Sequence, residues 1–240
     1  MSIVEFAAAT LAVLLGSVVQ VASGVGGGFI IVPLLAFVDL NLIPAPLIFA
    51  SLSLSGLMAL RERAAIDWRH IPITLLGLIP ASILGAYILA SVPVTRLGLV
   101  FGTVILIGIL FTLSGLHIPL TRMTAMVSGA LSGIMGTTSG IGAPPLALLY
   151  QRESGPRLRA TLAVIYSGAS MLMLCILFAF GQFSLPKAWA GIQLMPGFVL
   201  GYWVANHFTP HMDRGGTRIA VLCVSAAAAV ALIIRSLLAG

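Results

Sequence analysis

Two short runs of serine and glycine carry the chemistry of this chain. Ser23-Gly24-Val25-Gly26-Gly27 and Ser139-Gly140-Ile141-Gly142-Ala143 are near-copies at an offset of 116 residues, and each interrupts a long apolar run. Glycine lets a chain turn sharply and lets its N–H groups approach a ligand closely. A helix that restarts after such a break begins with free N–H donors and a partial positive charge, the ingredients of an anion site. Gly24, Gly26, Gly27 and Gly28 in the first run, and Thr138, Ser139, Gly140 and Gly142 in the second, are therefore the candidate anion-binding residues. At the same offset Ser51 falls on Ser167, and Pro80 to Gly85 falls on Pro196 to Gly201, so the two serines join the set. Ser53, Ser55, Ser170, Gln20, Thr137, Tyr166 and Gln193 add neutral donors to the same regions. Such donors suit an anion that must both bind and leave, although most lone hydroxyls in apolar helices bond their own backbone.

Other chemistries are poorly served. Glu5, Asp39, Glu62, Asp67, Glu153 and Asp213 are the six carboxylates, and none falls in the middle of an apolar run, where proton relays and cation sites are built. His207 and His211 with Asp213 have a loose metal-ligand spacing, but Pro210 breaks the helix that would align them, so they read as a surface loop. Cys175 and Cys223 stand alone in different apolar runs, as small filler. No nucleophile–base pair, phosphate-binding loop or cofactor motif is visible. No catalytic residue, metal or cofactor is expected.

The elements that must position the glycines follow from composition. Of 240 residues, 60% are hydrophobic and 8% charged, with a mean hydropathy of +1.15. No soluble fold of this length hides so much apolar surface, whereas about 20 apolar residues cross a bilayer. Helices are expected at 5–22, 29–38, 44–61, 70–90 and 97–114, then at 123–138, 143–150, 158–180, 187–206 and 217–237, with Pro and Gly at the joints. The run 6–22 lacks a basic leader and carries Glu5, so it reads as a retained span and not a signal peptide. At ~1.5 Å per residue, the 29–38 piece reaches only about half-way across a bilayer. The fold class is thus all-α, a polytopic integral membrane protein in which each half holds three full spans and a helix–break–half-helix hairpin.

Arginines set the orientation. With loop 61–70 inside, alternation through the spans collects Arg61, Arg63, Arg69, Arg122, Arg152, Arg157, Arg159, Arg214 and Arg218 inside, against Arg96, Lys187 and Arg235 outside. The net charge of +6 is thereby a matter of membrane topology and not of nucleic-acid binding. Loop 38–44 has no basic residue and its counterpart 150–159 has three, as two inverted repeats require. The repeats are expected over 1–116 and 117–240, within one membrane domain. Gly98/Gly102, Gly129/Gly133 and Gly197/Gly201, each pair four residues apart, read as close helix contacts.

Gly24-Val25-Gly26-Gly27-Gly28 followed by Val32-Pro33-Leu34, Gly140-Ile141-Gly142 followed by Pro144-Pro145-Leu146, and Leu158-Arg159-Ala160-Thr161 opening the next span resemble the TauE/SafE sulfite exporters, also called the 4-toluene sulfonate uptake permeases. The resemblance covers nearly the whole chain, with Ala143 where a third glycine is often found. It implies a multi-pass transporter of the bacterial inner membrane that moves a small sulfur-containing anion such as sulfite, thiosulfate or an organosulfonate like sulfoacetate. Alternating access, with the anion held between the two breaks, is the expected mechanism. The lipid bilayer and the anion are the expected partners, a homodimer is an open assembly, and nucleic acid is not expected. An anion channel using the same site, and a membrane enzyme or non-transporting subunit, are the alternatives. Counterflow separates the first, and an absence of flux from purified protein separates the second.

Overall fold

The computed structural model describes residues 2–208 and 214–238, with side chains from 208 to 220 left aside. His211 and Asp213 lie outside the described residues. Ten α-helices follow in order: α1 Ile3–Ser23, α2 Gly27–Val38, α3 Ala45–Arg61, α4 Ile71–Ser91, α5 Leu97–Leu113, α6 Arg122–Ser139, α7 Ala143–Tyr150, α8 Gly155–Ala179, α9 Leu185–Phe208 and α10 Arg214–Leu238. Three short 3₁₀ turns lie between them, and no strand is present among the described residues. Among the described residues five helical stretches are long and apolar enough to cross a membrane, namely Ile3–Ser23, Ile71–Ser91, Val94–Leu113, Gly155–Ala179 and Val221–Leu238. The chain is a multi-pass membrane protein.

Exposed apolar side chains such as Leu76, Leu110, Met171 and Phe178 form the lipid-facing coat. Trp68, Tyr87, Trp189 and Trp203 are exposed near helix ends, where amphipathic rings favour the membrane–water boundary. The interior is packed around Leu35, Leu78, Phe101, Ile105 and Phe198.

The helices of the two halves correspond one to one at the 116-residue offset: α1 to α6, α2 to α7, and so on to α5 and α10. Packing between the halves is reciprocal. α4 lies against α6 as α9 lies against α1; α3 lies against α9 as α8 lies against α4; α2 lies against α10 as α7 lies against α5. Without a hydrophobic force between helices in lipid, close backbone approach through small residues supplies the contact. A Cβ on Gly129 would fall 2.0 Å from Thr74 O, and one on Gly133 2.6 Å from Leu78 O, where α6 crosses α4. Gly197 and Gly201 approach Thr10 O and Leu14 O at α1 in the same way, at 2.9 and 2.8 Å. Gly98 and Gly102 meet Leu232 O and Ala229 O of α10 at 3.2 and 2.7 Å. All three glycine pairs expected at helix contacts are found there.

α5 and α10 buttress the half-helices. Gly108 of α5 sits under both Phe29 and Pro144, with an added Cβ only 2.9 and 3.1 Å from their rings. Ser225 of α10 donates to Phe29 O at 2.7 Å. The starts of α2 and α7 are thus fixed by the scaffold.

Candidate anion-binding site

α1 and α6 end alike. Each stops at a glycine in the left-handed region, Gly24 at φ 80° and Gly140 at φ 80°, whose N–H caps the carbonyl four residues back. Only glycine holds that conformation without strain. The preceding serines also match: Ser23 Oγ donates to Val19 O and accepts from Val25 N, and Ser139 Oγ donates to Met135 O and accepts from Ile141 N.

Beyond this point the breaks diverge. Gly26 has φ 95°, whereas Gly142 has φ −99°. Gln20 spans the first break, its Nε2 donating to Gly24 O at 3.1 Å and its Oε1 accepting from Gly27 N at 2.9 Å. The residue at the corresponding place in α6 is Gly136, where an added Cβ would fall 2.6 Å from Met173 Cε, so no amide stands at the second break. Gly27 is tightly enclosed, with an added Cβ 2.6 Å from Gly16 O. It therefore belongs to the helix proper, and α2 starts two residues earlier than expected because α1 and Gln20 hold Gly27 in place.

The two breaks meet. A Cβ on Gly28 would lie 3.4 Å from Ile141 Cγ1. A cavity of about 120 Å³ opens there. By that measure one water needs ~10–15 Å³, so the space suits a small solute. Its rim at the breaks is Gln20, Gly27, Gly28, Gly140, Ile141, Gly142 and Ala143. α3 contributes Ser51, Leu54, Ser55 and Met58, α8 contributes Tyr166, Ala169, Ser170 and Met173, and α6 contributes Ser132 and Gly136. Ile31, Leu47, Ile48 and Phe198 complete the wall.

Of the residues expected from sequence, Gly27, Gly28, Ser51, Gly140 and Gly142 line this cavity. Gly24, Gly26, Thr138, Ser139 and Ser167 do not. Gly24 packs instead against Leu158 and Arg159 of α8. Thr138 and Ser167 bond their own helices, through Ile134 O and Ala163 O, at 2.7 and 2.9 Å. On α8 the lining stripe is turned by one position relative to α3, so Ser170 and Tyr166 face inward where Ser167 was expected. Ser132 was missed. It is 1% exposed, and its Oγ would be 2.7 Å from a Cβ on Gly142. Its signal was its spacing, since Ser132, Gly136 and Gly140 recur every four residues along one face of α6.

Donors are available at this rim. Among the described hydrogen bonds, none occupies the N–H of Gly28, Gly142 or Ala143, and none uses the hydroxyls of Ser132 or Ser170. Tyr166 OH is buried in the wall within reach of the Gln20 amide. Pro144 and Pro145 carry no N–H, so the donors of α7 are concentrated at Gly142 and Ala143.

The ion pairs lie away from the cavity, between segments 61–70 and 150–159. Arg159 binds Glu62 through Nε and Nη2 at 3.1 and 2.6 Å, and Arg157 binds Asp67 at 2.6 Å and Glu153 at 3.2 Å. The Arg157 hydrogen bond holds the Asp67 carboxyl below its ordinary value, against a smaller opposing effect of burial. Arg61 bonds Asn206, and Gln151 bonds Leu116 O at 2.7 Å. These contacts tie together segments 61–70, 114–121, 150–159 and the end of α9. On the opposite side Ser236 of α10 bonds Thr95 O at 2.8 Å.

A family model described as sulfite exporter TauE/SafE matches residues 9–232 of the chain. No curated protein and no solved structure matches it.

Proposed function

Since the chain belongs to the sulfite exporter TauE/SafE family, whose members are membrane transporters of sulfur anions and not enzymes, we propose that the cavity between the two glycine breaks is the site where that anion rides. One observation carries this reading. Two segments 116 residues apart, each ending a helix on a left-handed glycine, meet across one small cavity rimmed by unoccupied N–H and O–H donors. Irregular backbone within a membrane is tolerated where it lines such a cavity. Donors already in place stabilise an anion without reorganisation, and the absence of a charged lining residue among those described leaves it free to depart.

The halves are inverted repeats, 1–116 and 117–240, that rock about this site to expose it to each face in turn. The reciprocal packing of α4 on α6 and of α9 on α1 supports that relation, as does the shared face of the arginine-rich segments. That face is the cytoplasmic one of a bacterial inner membrane. Gly28→Val tests the site, because its Cβ fits at 3.4 Å from Ile141 while its methyl groups project into the cavity. Purified variant in liposomes should insert normally and lose sulfite–sulfite counterflow by ~10-fold or more, a loss of at least about 1.4 kcal/mol. Unchanged counterflow would remove the cavity from the transport path.

A further inference from the structure

We infer that Gln20 is a positioning residue for transport, holding the first break in the shape that keeps the Gly28 N–H at the cavity rim. This rests on the cavity being the transport site. The two breaks meet one requirement by different means. α7 opens Ala143-Pro144-Pro145, and two pyrrolidine rings fix the φ of its first turn. α2 opens Gly27-Gly28 after Gly26, which stands at φ 95°, and three glycines in a row carry no such restraint. Gln20 supplies it. Its Nε2 donates to Gly24 O at 3.1 Å and its Oε1 accepts from Gly27 N at 2.9 Å, so one planar amide bridges the end of α1 and the start of α2. Its backbone carbonyl also accepts from Gly24 N at 2.8 Å.

The orientation of the amide is fixed by its partners, because Gly24 O can only accept and Gly27 N–H can only donate. Space is reserved for it as well. A Cβ on Gly27 would fall 2.8 Å from Gln20 Cβ and 3.0 Å from Gln20 Oε1, so glycine is what admits the side chain there. From α8 the Tyr166 hydroxyl lies buried within reach of the same amide. Neither residue has a polar counterpart at the 116-residue offset, where Gly136 and Ala50 stand. This polar restraint thus serves the break whose helix opens without prolines. Gln20 and Tyr166 both line the cavity, so the device that shapes the rim is part of its wall. Without the amide the glycines are free to carry the Gly28 N–H off the rim, and an anion must then order them as it binds.

Sulfite–sulfite counterflow by the full-length protein in liposomes tests this through two substitutions, each read as a half-saturating concentration relative to the parent at the same pH. Gln20→Met keeps the length of the side chain and loses both amide bonds. Its ratio should rise about 10-fold with the maximal rate kept, since the rim donors are loosened and not removed. Gln20→Glu keeps both bonds when protonated, its acid hydroxyl donating to Gly24 O, and loses that donor when ionised. Its ratio should fall toward one as pH is lowered from about 8 to about 4.5, while the Gln20→Met ratio stays level. A Gln20→Glu ratio near one at every pH, beside a raised Gln20→Met ratio, supports the same role, because burial then keeps the carboxyl protonated. A Gln20→Met variant with the parent's half-saturation, or one that loses maximal rate alone, overturns it. So does a Gln20→Glu ratio that stays as high as that of Gln20→Met across the range. Gly28→Val run alongside separates the two claims. If it exchanges sulfite normally, the cavity reading fails and this inference with it; if it is inactive while Gln20→Met matches the parent, the positioning role alone fails.

Discussion

Gly24 and Gly140 were legible because a left-handed turn has one natural residue, and the repeat placed it twice. Serines and threonines were harder to read, because a hydroxyl beside a break serves a ligand or its own backbone with equal chemistry. Thr138, Ser139 and Ser167 serve the backbone, while Ser132 and Ser170 have hydroxyls facing the cavity. Helix rotation decides between those fates, and a shift of one residue on α8 was enough to exchange Ser167 for Tyr166. The ion pairs were likewise invisible, since Asp67 and Arg157 are 90 residues apart. Their coupling has a pH signature. The Asp67 carboxyl is held below its ordinary 3.8 in the folded chain. Its contribution to stability is therefore present above that value and is lost as pH falls through the lower folded value. Asp67→Asn should lower the thermal midpoint in detergent near neutral pH, and the gap from the parent protein should close as pH drops below 3.8. A gap that stays constant with pH would show that charge is not the source.

Helix ends were anticipated to within about three residues, because Pro and Gly punctuate nearly every joint. The paired glycines of α6 and α9 declared the crossings but not the partners. That α6 lies on α4 and α9 on α1 depends on the path of the whole chain. The consequence for stability is sharp. A Cβ at Gly129 would enter Thr74 O at 2.0 Å, so Gly129→Leu must part α6 from α4. Gly56 of α3 has nothing within 4 Å of an added Cβ, and alanine is the better helix former by ~1 kcal/mol. Gly129→Leu should aggregate or melt many degrees lower in detergent, and Gly56→Ala should melt at or slightly above the parent. Equal melting of both variants would mean that the α4–α6 contact is soft.

At the scale of the molecule, membrane residence and the family were readable from composition and the two glycine runs, whereas the cavity needed both halves at once. The sidedness proposed from arginines can be checked directly. Cys175 and Cys223 are free and exposed, and replacing both with alanine gives a background without thiols. Arg63→Cys and Val94→Cys, on the turns flanking α4, should then react with an impermeant reagent from opposite faces, the first from the cytoplasm. Labelling of both from one face would break the alternation on which the inverted arrangement depends.

Reciprocal packing also sets a timetable. α4 ends at Ser91 and meets a partner that begins at Arg122, so that pair assembles almost as soon as it is made. α1 ends at Ser23 and its partner begins only at Leu185. At ~5–20 residues per second of synthesis, α1 waits on the order of ten seconds in lipid before α9 arrives. During that interval the surface of Ser17 that later receives Gly201 faces acyl chains. Two contacts that are equivalent in the finished protein are thus unequal in its birth, one made early between near neighbours and the other made late between distant ones.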